Sequence, residues 1–116
     1  LNRSIPEIPS PLLYDNLIYM VRNGGLLVAV DATNGKLLHR ERLNAPGQYS
    51  ASPVGANGHV YLCSNRGVIT IVKMNKEFKI THQHDLKDPV FVTPAIDKNT
   101  LYIRTEKALL AFRTND

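Results

Sequence analysis

Two histidines on one predicted strand are the residues of this sequence that come closest to forming a metal-binding site. His82 and His84 alternate along residues 78–85, so their side chains lie on the same face of an extended strand. Two imidazoles on one face can bind a transition-metal ion, although a complete site needs further ligands. Asp85 is adjacent, and no third ligand follows at a suitable spacing. We therefore interpret the segment as a solvated outer strand and predict no metal site, with His82 and His84 as the only candidate ligands.

The single cysteine, Cys63, is predicted to be a buried and unreactive thiol. It lies beside Tyr61 in an apolar stretch, and the sequence places no base next to it that would generate a thiolate. His59 follows Asn57-Gly58 in a predicted hairpin, so we expect its side chain to be exposed.

The charged residues are typical of turns and strand ends rather than of a general acid–base pair. Those that stand out are Asp15, Asp31, Asp97, Arg104, Glu106 and Lys107. The sequence contains no Gly-x-Ser-x-Gly elbow, no phosphate-binding glycine-rich loop and no paired-cysteine zinc motif. It therefore assigns no catalytic residue, which favours a binding role over catalysis.

Composition narrows the class of protein further. The chain has 116 residues, of which 43% are hydrophobic and 21% charged, so we expect a folded domain with a core rather than a disordered segment. The net charge is +4, and the 14 basic residues are scattered without a Lys/Arg run, which disfavours nucleic-acid binding. No apolar run approaches the ~20 residues that a membrane-spanning helix needs.

An internal repeat is the main signal for the fold. Three kinds of marker recur along the chain at intervals of 42 and then 41 residues. They are the Ser/Thr-Pro pairs at 10–11, 52–53 and 93–94, the tyrosines Tyr19, Tyr61 and Tyr102, and the small residues Gly25, Gly67 and Ala108. A period of this length without a helical pattern is typical of the four-stranded blades of a β-propeller, whose repeats run to about 40–50 residues.

Turn signals divide each repeat into short strands. In the first repeat we predict strands at 11–14, 17–22, 25–31 and 36–42, with turns at Asp15-Asn16, Asn23-Gly24 and Asn34-Gly35. The Asn-Gly pairs predict type I′ hairpin turns, which need positive φ at both central residues. The second repeat has Asn57-Gly58 and an outer strand at 78–85, and the third has three strands without a fourth.

The repeat also predicts the roles of side chains. We expect the tyrosine of each second strand to pack between neighbouring blades, and each third strand to be buried on both faces. The period makes Leu27, Ile69 and Leu110 equivalent, and likewise Ala29, Ile71 and Phe112.

The predicted fold is all-β and consists of propeller blades. Two complete blades span 10–43 and 44–86, a third without its outer strand spans 87–116, and residues 1–9 match an inter-blade crossover. We therefore expect an arc of a larger ring whose closing strand lies upstream. Its open blade faces and strand edge would favour contact with the missing blades, with a protein partner or with further copies of the chain.

The segment 27–39 carries a resemblance to a known family. It reads as an apolar strand, then Asp31-Ala-Thr-Asn-Gly35-Lys36, and it resembles the PQQ-like (quinoprotein-type) β-propeller repeat of bacteria. His39 stands where that repeat typically has tryptophan. Residues 101–107 are similar to the last blade of such proteins, a group that includes relatives of outer-membrane assembly factors. The resemblance implies a propeller fold, a place among the C-terminal blades, and a periplasmic or cell-envelope location.

The resemblance and the absence of catalytic motifs together leave three interpretations of function. Quinoproteins of this type hold pyrroloquinoline quinone and Ca²⁺ at the ring centre, using many blades and commonly adjacent cysteines. Because this chain has one cysteine, we predict no cofactor and expect a non-catalytic binding or scaffolding segment that acts through blade faces and loops. The alternative is a fragment of a PQQ/Ca²⁺-dependent dehydrogenase whose active site lies mostly outside the chain. A third interpretation is a sugar- or polymer-processing propeller with its active residues upstream.

Overall fold

The computed structural model describes residues 9–74 and 78–113, which form eleven β-strands and no helix. The strands are β1 Leu12–Tyr14, β2 Leu17–Arg22, β3 Leu26–Asp31, β4 Leu37–Arg42, β5 Val54–Ala56, β6 His59–Cys63, β7 Val68–Met74, β8 Phe78–Asp85, β9 Ala95–Asp97, β10 Thr100–Arg104 and β11 Leu109–Arg113. No helix in these ranges is long and apolar enough to cross a membrane. The predicted crossover at 1–9 lies, apart from Pro9, outside the described residues.

The strands form three antiparallel sheets, each ordered as a simple meander. Blade 1 consists of β1–β4, blade 2 of β5–β8 and blade 3 of β9–β11. The first strands β1, β5 and β9 contact one another in turn, so the blades stand side by side around one axis. Blade 2 thus has one face toward blade 1 and the other toward blade 3. The predicted all-β fold of two four-stranded blades and one three-stranded blade is confirmed.

A chain of hydroxyl groups near the axis explains the Ser/Thr-Pro repeat. The backbone N–H of Ser10 donates to the hydroxyl of Ser52 at 2.8 Å, and the N–H of Ser52 donates to the hydroxyl of Thr93 at 2.9 Å. The proline that follows each of these residues begins the blade without donating to a ladder, as the start of a strand allows. The recurring pair therefore links neighbouring blades.

The predicted turns are confirmed in part. Both central residues have positive φ at Asp15-Asn16 and at Asn57-Gly58, as type I′ turns require. The type I′ prediction is wrong at Asn23-Gly24, where positive φ falls on Gly24 and Gly25 instead. There the Asn23 side chain accepts a hydrogen bond from the backbone N–H of Tyr49 at 3.0 Å, so it holds the crossover from blade 1 to blade 2, residues 43–53. The crossover from blade 2 to blade 3 is formed by residues 86–94.

At Asn34-Gly35 the type I′ prediction is also wrong, since only Gly35 has positive φ. The Asn34 side chain accepts the N–H of Lys36 at 2.8 Å, which closes a local side-chain turn. The strand after it begins at Leu37, one residue later than predicted. Likewise, β1 and β3 each begin one residue later than predicted.

The predicted equivalences of Ala108, Leu110 and Phe112 fail because the second turn of blade 3 is one residue shorter. In blade 2 the N–H of Ser64 donates to the carbonyl of Val68, whereas in blade 3 that of Thr105 donates to the carbonyl of Ala108. Ala108 therefore corresponds to Val68 rather than to Gly67. Because side chains alternate along a strand, this one-residue change moves each side chain to the opposite face.

The true equivalents of Ile69 and Ile71 are consequently Leu109 and Ala111, not Leu110 and Phe112. Phe112 pairs with Leu101 and faces blade 2.

The core lies between blades in two clusters. Tyr19 packs in the first, with Val60 and Leu62 of blade 2, and Tyr61 packs in the second, with Leu101 and Ile103 of blade 3. These contacts confirm the predicted inter-blade position of the first two tyrosines. Tyr102, the third, is 38% exposed because no described residue covers its side of blade 3.

The expected burial of the third strands on both faces holds for β7, which has a blade on either side. It is wrong for β3, where one face is only half-buried, and for β11, where most side chains are exposed.

Candidate functional site

The two candidate metal ligands lie on the side of β8 that faces blade 3. His82 and His84 are exposed, and their rings stack with centroids 6.2 Å apart. They line a cavity of about 360 Å³ together with Ile71, Phe112 and Arg113. Within residues 9–74 and 78–113 no group of three or more His, Cys, Asp or Glu side chains is placed to hold a metal ion.

Strand register gives His82 a different explanation. His39 pairs with Ala29 in blade 1, and His82 pairs with Ile71 in blade 2, so the two histidines occupy the same position of the repeat. His39 is half-buried on the face of blade 1 toward blade 2. Blade 3 has no fourth strand among the described residues, and His82 is exposed. The sequence alignment missed this pair because the interval between them is 43 residues, and allowing one inserted residue before β8 would have found it.

The other predicted site residues serve local structure. The Nδ1 of His59 lies 2.8 Å from the carbonyl oxygen of Asn57, and the side chain is half-buried rather than exposed as expected. The Asp31 carboxylate accepts the N–H of Thr33 at 2.7 Å, and Asp15 adopts positive φ in its turn.

Three buried side chains have strongly altered acidity. Cys63 is buried as predicted, and burial raises its pKa to about 12. Burial is also the main cause that raises the pKa of Tyr49 and of Tyr19, each to about 12. The Tyr49 hydroxyl donates to the carbonyl of Ala45 at 2.6 Å, which holds the crossover against the blade 1 core. None of these groups ionises near neutral pH, so they stabilise the fold as neutral side chains.

These pKa values predict a loss of stability in alkaline solution. The folded state holds the protons of Tyr19, Tyr49 and Cys63 more tightly than the unfolded state, whose values are 10.0, 10.0 and 9.0. Their contribution is therefore complete below about pH 9 and falls as the pH rises toward about 12, by about 1.4 kcal/mol per group per pH unit. Denaturant unfolding followed by circular dichroism between pH 8 and about 12 measures this. Tyr49→Phe should show a shallower decline, and an equal slope would contradict the assignment.

The side of blade 3 that faces away from blade 2 exposes apolar side chains whose equivalents in blade 2 are buried. We call Val92, Tyr102, Arg104 and Leu109 the blade 3 open face. Their equivalents in blade 2 are Ala51, Tyr61, Cys63 and Ile69, all of which are buried in the second core cluster. Val92 and Leu109, by contrast, are 56% and 68% exposed.

This face also contains a concavity. A cavity of about 430 Å³ is lined by Phe91, Val92, Arg104 and Leu109 together with Thr105 and Glu106. Large exposed apolar side chains around a concave surface are typical of interaction sites.

Among the described residues, none forms a blade against the face of blade 1 that is directed away from blade 2, which we call the blade 1 open face. The pairing of β1–β4 places on it the apolar residues Leu13, Ile18, Met20, Leu26, Val28 and Val30 and the basic residues Arg22, Arg40 and Arg42. The two open faces therefore have different chemistry: one is apolar with three arginines, and the other is apolar with Arg104 beside a cavity.

Comparison with known proteins shows which solved structures share this fold. No protein-family model matches the chain, and no curated protein matches it. The chain is similar to a quinohemoprotein alcohol dehydrogenase of Pseudomonas putida HK5, with a TM-score of 0.77 and 14% identity, over 91% of this chain and 19% of that one.

Two further solved structures match. The computationally designed Ika8 protein has a TM-score of 0.69 and 11% identity, over 89% of this chain and 32% of that one. BamB from Moraxella catarrhalis has a TM-score of 0.45 and 14% identity, over 90% of this chain and 43% of that one. The chain thus spans less than half the length of each. Its three unclosed antiparallel sheets and its likeness to the dehydrogenase show the fold of an open arc of β-propeller blades.

Proposed function

We propose that this chain is a non-catalytic binding or scaffolding segment of a PQQ-like β-propeller, and that it holds polypeptide partners through its open blade faces. The main support for this proposal is the blade 3 open face. Its Val92 and Leu109 are largely exposed, although Ala51 and Ile69, their equivalents in blade 2, are buried against the neighbouring blade. Burying apolar area of this kind contributes about 25 cal/mol per Å², so a sheet or strand that covers the face gains stability from the contact.

The alternative, a fragment of a quinoprotein-like oxidoreductase, requires a place for pyrroloquinoline quinone and Ca²⁺. Ca²⁺ takes about 6–8 oxygen ligands. Among the described residues, one oxygen of Asp88 is the buried side-chain atom without a hydrogen-bond partner, and its other oxygen accepts the N–H of Lys107. The Ser52 and Thr93 hydroxyls near the axis already accept inter-blade hydrogen bonds. The donor set of this arc therefore does not fit the ion.

Selection of phage-displayed peptides on the purified chain tests the proposal. We expect the selected peptides to bind the blade 3 open face, so that Leu109→Asp weakens binding at least tenfold, or about 1.4 kcal/mol, in fluorescence anisotropy. Leu38→Asp is the matched control, since Leu38 is an exposed leucine of the outer strand β4. Peptides that bind both variants equally, or no enrichment over an unrelated protein, would contradict the proposal.

Titration of the chain with pyrroloquinoline quinone and Ca²⁺ tests the alternative, a fragment of an oxidoreductase. We expect no saturable change in visible absorbance. A saturable change would favour the oxidoreductase.

A further inference from the structure

Arg104 occupies a position that is buried in the other two blades. It is equivalent to Val21 of blade 1 and Cys63 of blade 2, which are 5% and 1% exposed and belong to the two core clusters. Strand pairing places Arg104 beside Leu109, on the same face as Tyr102. A blade that covered this face as blade 3 covers blade 2 would therefore enclose the guanidinium group.

No described residue forms an ion pair with Arg104. Glu106 lines the same cavity but does not pair with it, and its backbone N–H donates to the carbonyl of Pro89. An enclosed guanidinium is strongly unfavourable unless a carboxylate accepts its hydrogen bonds. The planar guanidinium suits a carboxylate in two-bond geometry, which gives directional as well as electrostatic selection.

We propose that the blade 3 open face receives an apolar β-sheet face that carries a carboxylate opposite Arg104, and that this carboxylate selects the partner. The inference rests on the proposed function, because it specifies the chemistry of the polypeptide that the face binds.

A second copy of the chain would offer the wrong charge. A head-to-tail arrangement would bring the blade 1 open face onto the blade 3 open face, since those are the uncovered counterparts of the internal interfaces. Strands β1–β4 place Arg22, Arg40 and Arg42 on the blade 1 open face, and no acidic residue of these strands lies on that face. Glu41 pairs with Leu27 and therefore faces blade 2. Arg22 pairs with Leu26 on that face, so docking of a second copy would bring it into the same interface as Arg104.

A charge-swap cycle tests the inference, with the chain itself as the probe. Arg22 and Arg42 flank Leu26 in one row across the sheet and are both exposed. The variant R22E/R42E presents an apolar sheet face with carboxylates, and R104E reverses the charge on the opposite face. In sedimentation velocity we expect the unaltered chain and the triple variant R22E/R42E/R104E to be monomeric.

We expect R22E/R42E alone and R104E alone to associate head to tail, with an association constant at least tenfold higher than that of the unaltered chain. This association should weaken as salt is added. Lys107→Glu, in the turn beside the face, makes the same charge change as R104E and should leave the chain monomeric. Circular dichroism confirms that each variant is folded.

Two results would overturn the inference: self-association of the unaltered chain that does not depend on Arg104, or monomeric behaviour of both R22E/R42E and R104E. Either result is separable from a failure of the proposed function. If Leu109→Asp still weakens peptide binding but the charge-swap variants do not change self-association, the face binds polypeptides without selecting a carboxylate.

Discussion

Tyr19→Ala is expected to lower the free energy of unfolding by about 4 kcal/mol, whereas Tyr102→Ala should lower it by less than about 1 kcal/mol. The two tyrosines occupy the same position of the repeat on β2 and β10. Tyr19 is 1% exposed in the cluster between blades 1 and 2, so its removal leaves a cavity among well-packed neighbours. Tyr102 is 38% exposed, and its truncation leaves no enclosed cavity.

Urea unfolding followed by circular dichroism measures both changes, and each variant serves as the control for the other. The two variants together isolate the contribution of the neighbouring blade, because each removes a tyrosine from the second strand of a blade at the same position of the repeat. Equal losses of stability would mean that the strand environment alone, rather than inter-blade packing, determines the contribution of this tyrosine.

Gly67→Ala is expected to destabilise the fold by about 3 kcal/mol. Gly67 has a φ of +98°, and a Cβ atom at this position would overlap the carbonyl oxygen of Asp88 and lie 3.0 Å from its carbon. That backbone cannot move away easily. The N–H of Leu86 donates to the carbonyl of Gly67 at 2.8 Å, and the Asp88 carboxylate accepts the N–H of Lys107. The substitution therefore combines left-handed strain with a clash in the crossover between blades 2 and 3.

Gly35→Ala is the matched control. Gly35 has a φ of +73° and open space where a Cβ would lie, so only the left-handed strain remains, at about 1 kcal/mol. The difference in thermal or urea midpoint between the two variants measures the cost of the close approach. Equal destabilisation would show that the crossover yields to the added methyl group.

Much of the strand layout could be predicted from the sequence. The bounds of β2 and β8 agree with the predicted segments, and those of β1, β3 and β4 differ from them by one residue. These elements depend on short-range properties: the alternation of side chains and the positive φ that Asn and Gly tolerate. Asn23 departs from its expected turn because its side chain bonds to Tyr49 of the crossover, a partner that local preference does not reveal.

The candidate site was much less predictable. The sequence places Arg104 among the charged residues of turns and strand ends, and it favours a solvated outer strand over a metal site for His82 and His84. The structure shows that Arg104 takes the position of Val21 and Cys63, and that His82 takes the position of His39. The relation of His82 to His39 depends on strand register, because an inserted residue before β8 breaks the period. The 42- and 41-residue intervals already align Arg104 with Val21 and Cys63, and only the packing of the blades shows that this position is buried in blades 1 and 2 and exposed in blade 3.

The sequence by itself determined the period of the repeat, the all-β class and the approximate limits of the strands, because these follow from interactions within a few residues or from spacing along the chain. Tertiary structure alone decided which face of each strand meets the next blade, why Ser10, Ser52 and Thr93 recur, and which residues remain uncovered. Those features depend on contacts between residues about forty positions apart, such as the hydrogen bond from Ser10 to Ser52. The blade 3 open face exists as a site because Val92, Arg104 and Leu109 come together only when the crossover packs beside the β10–β11 hairpin.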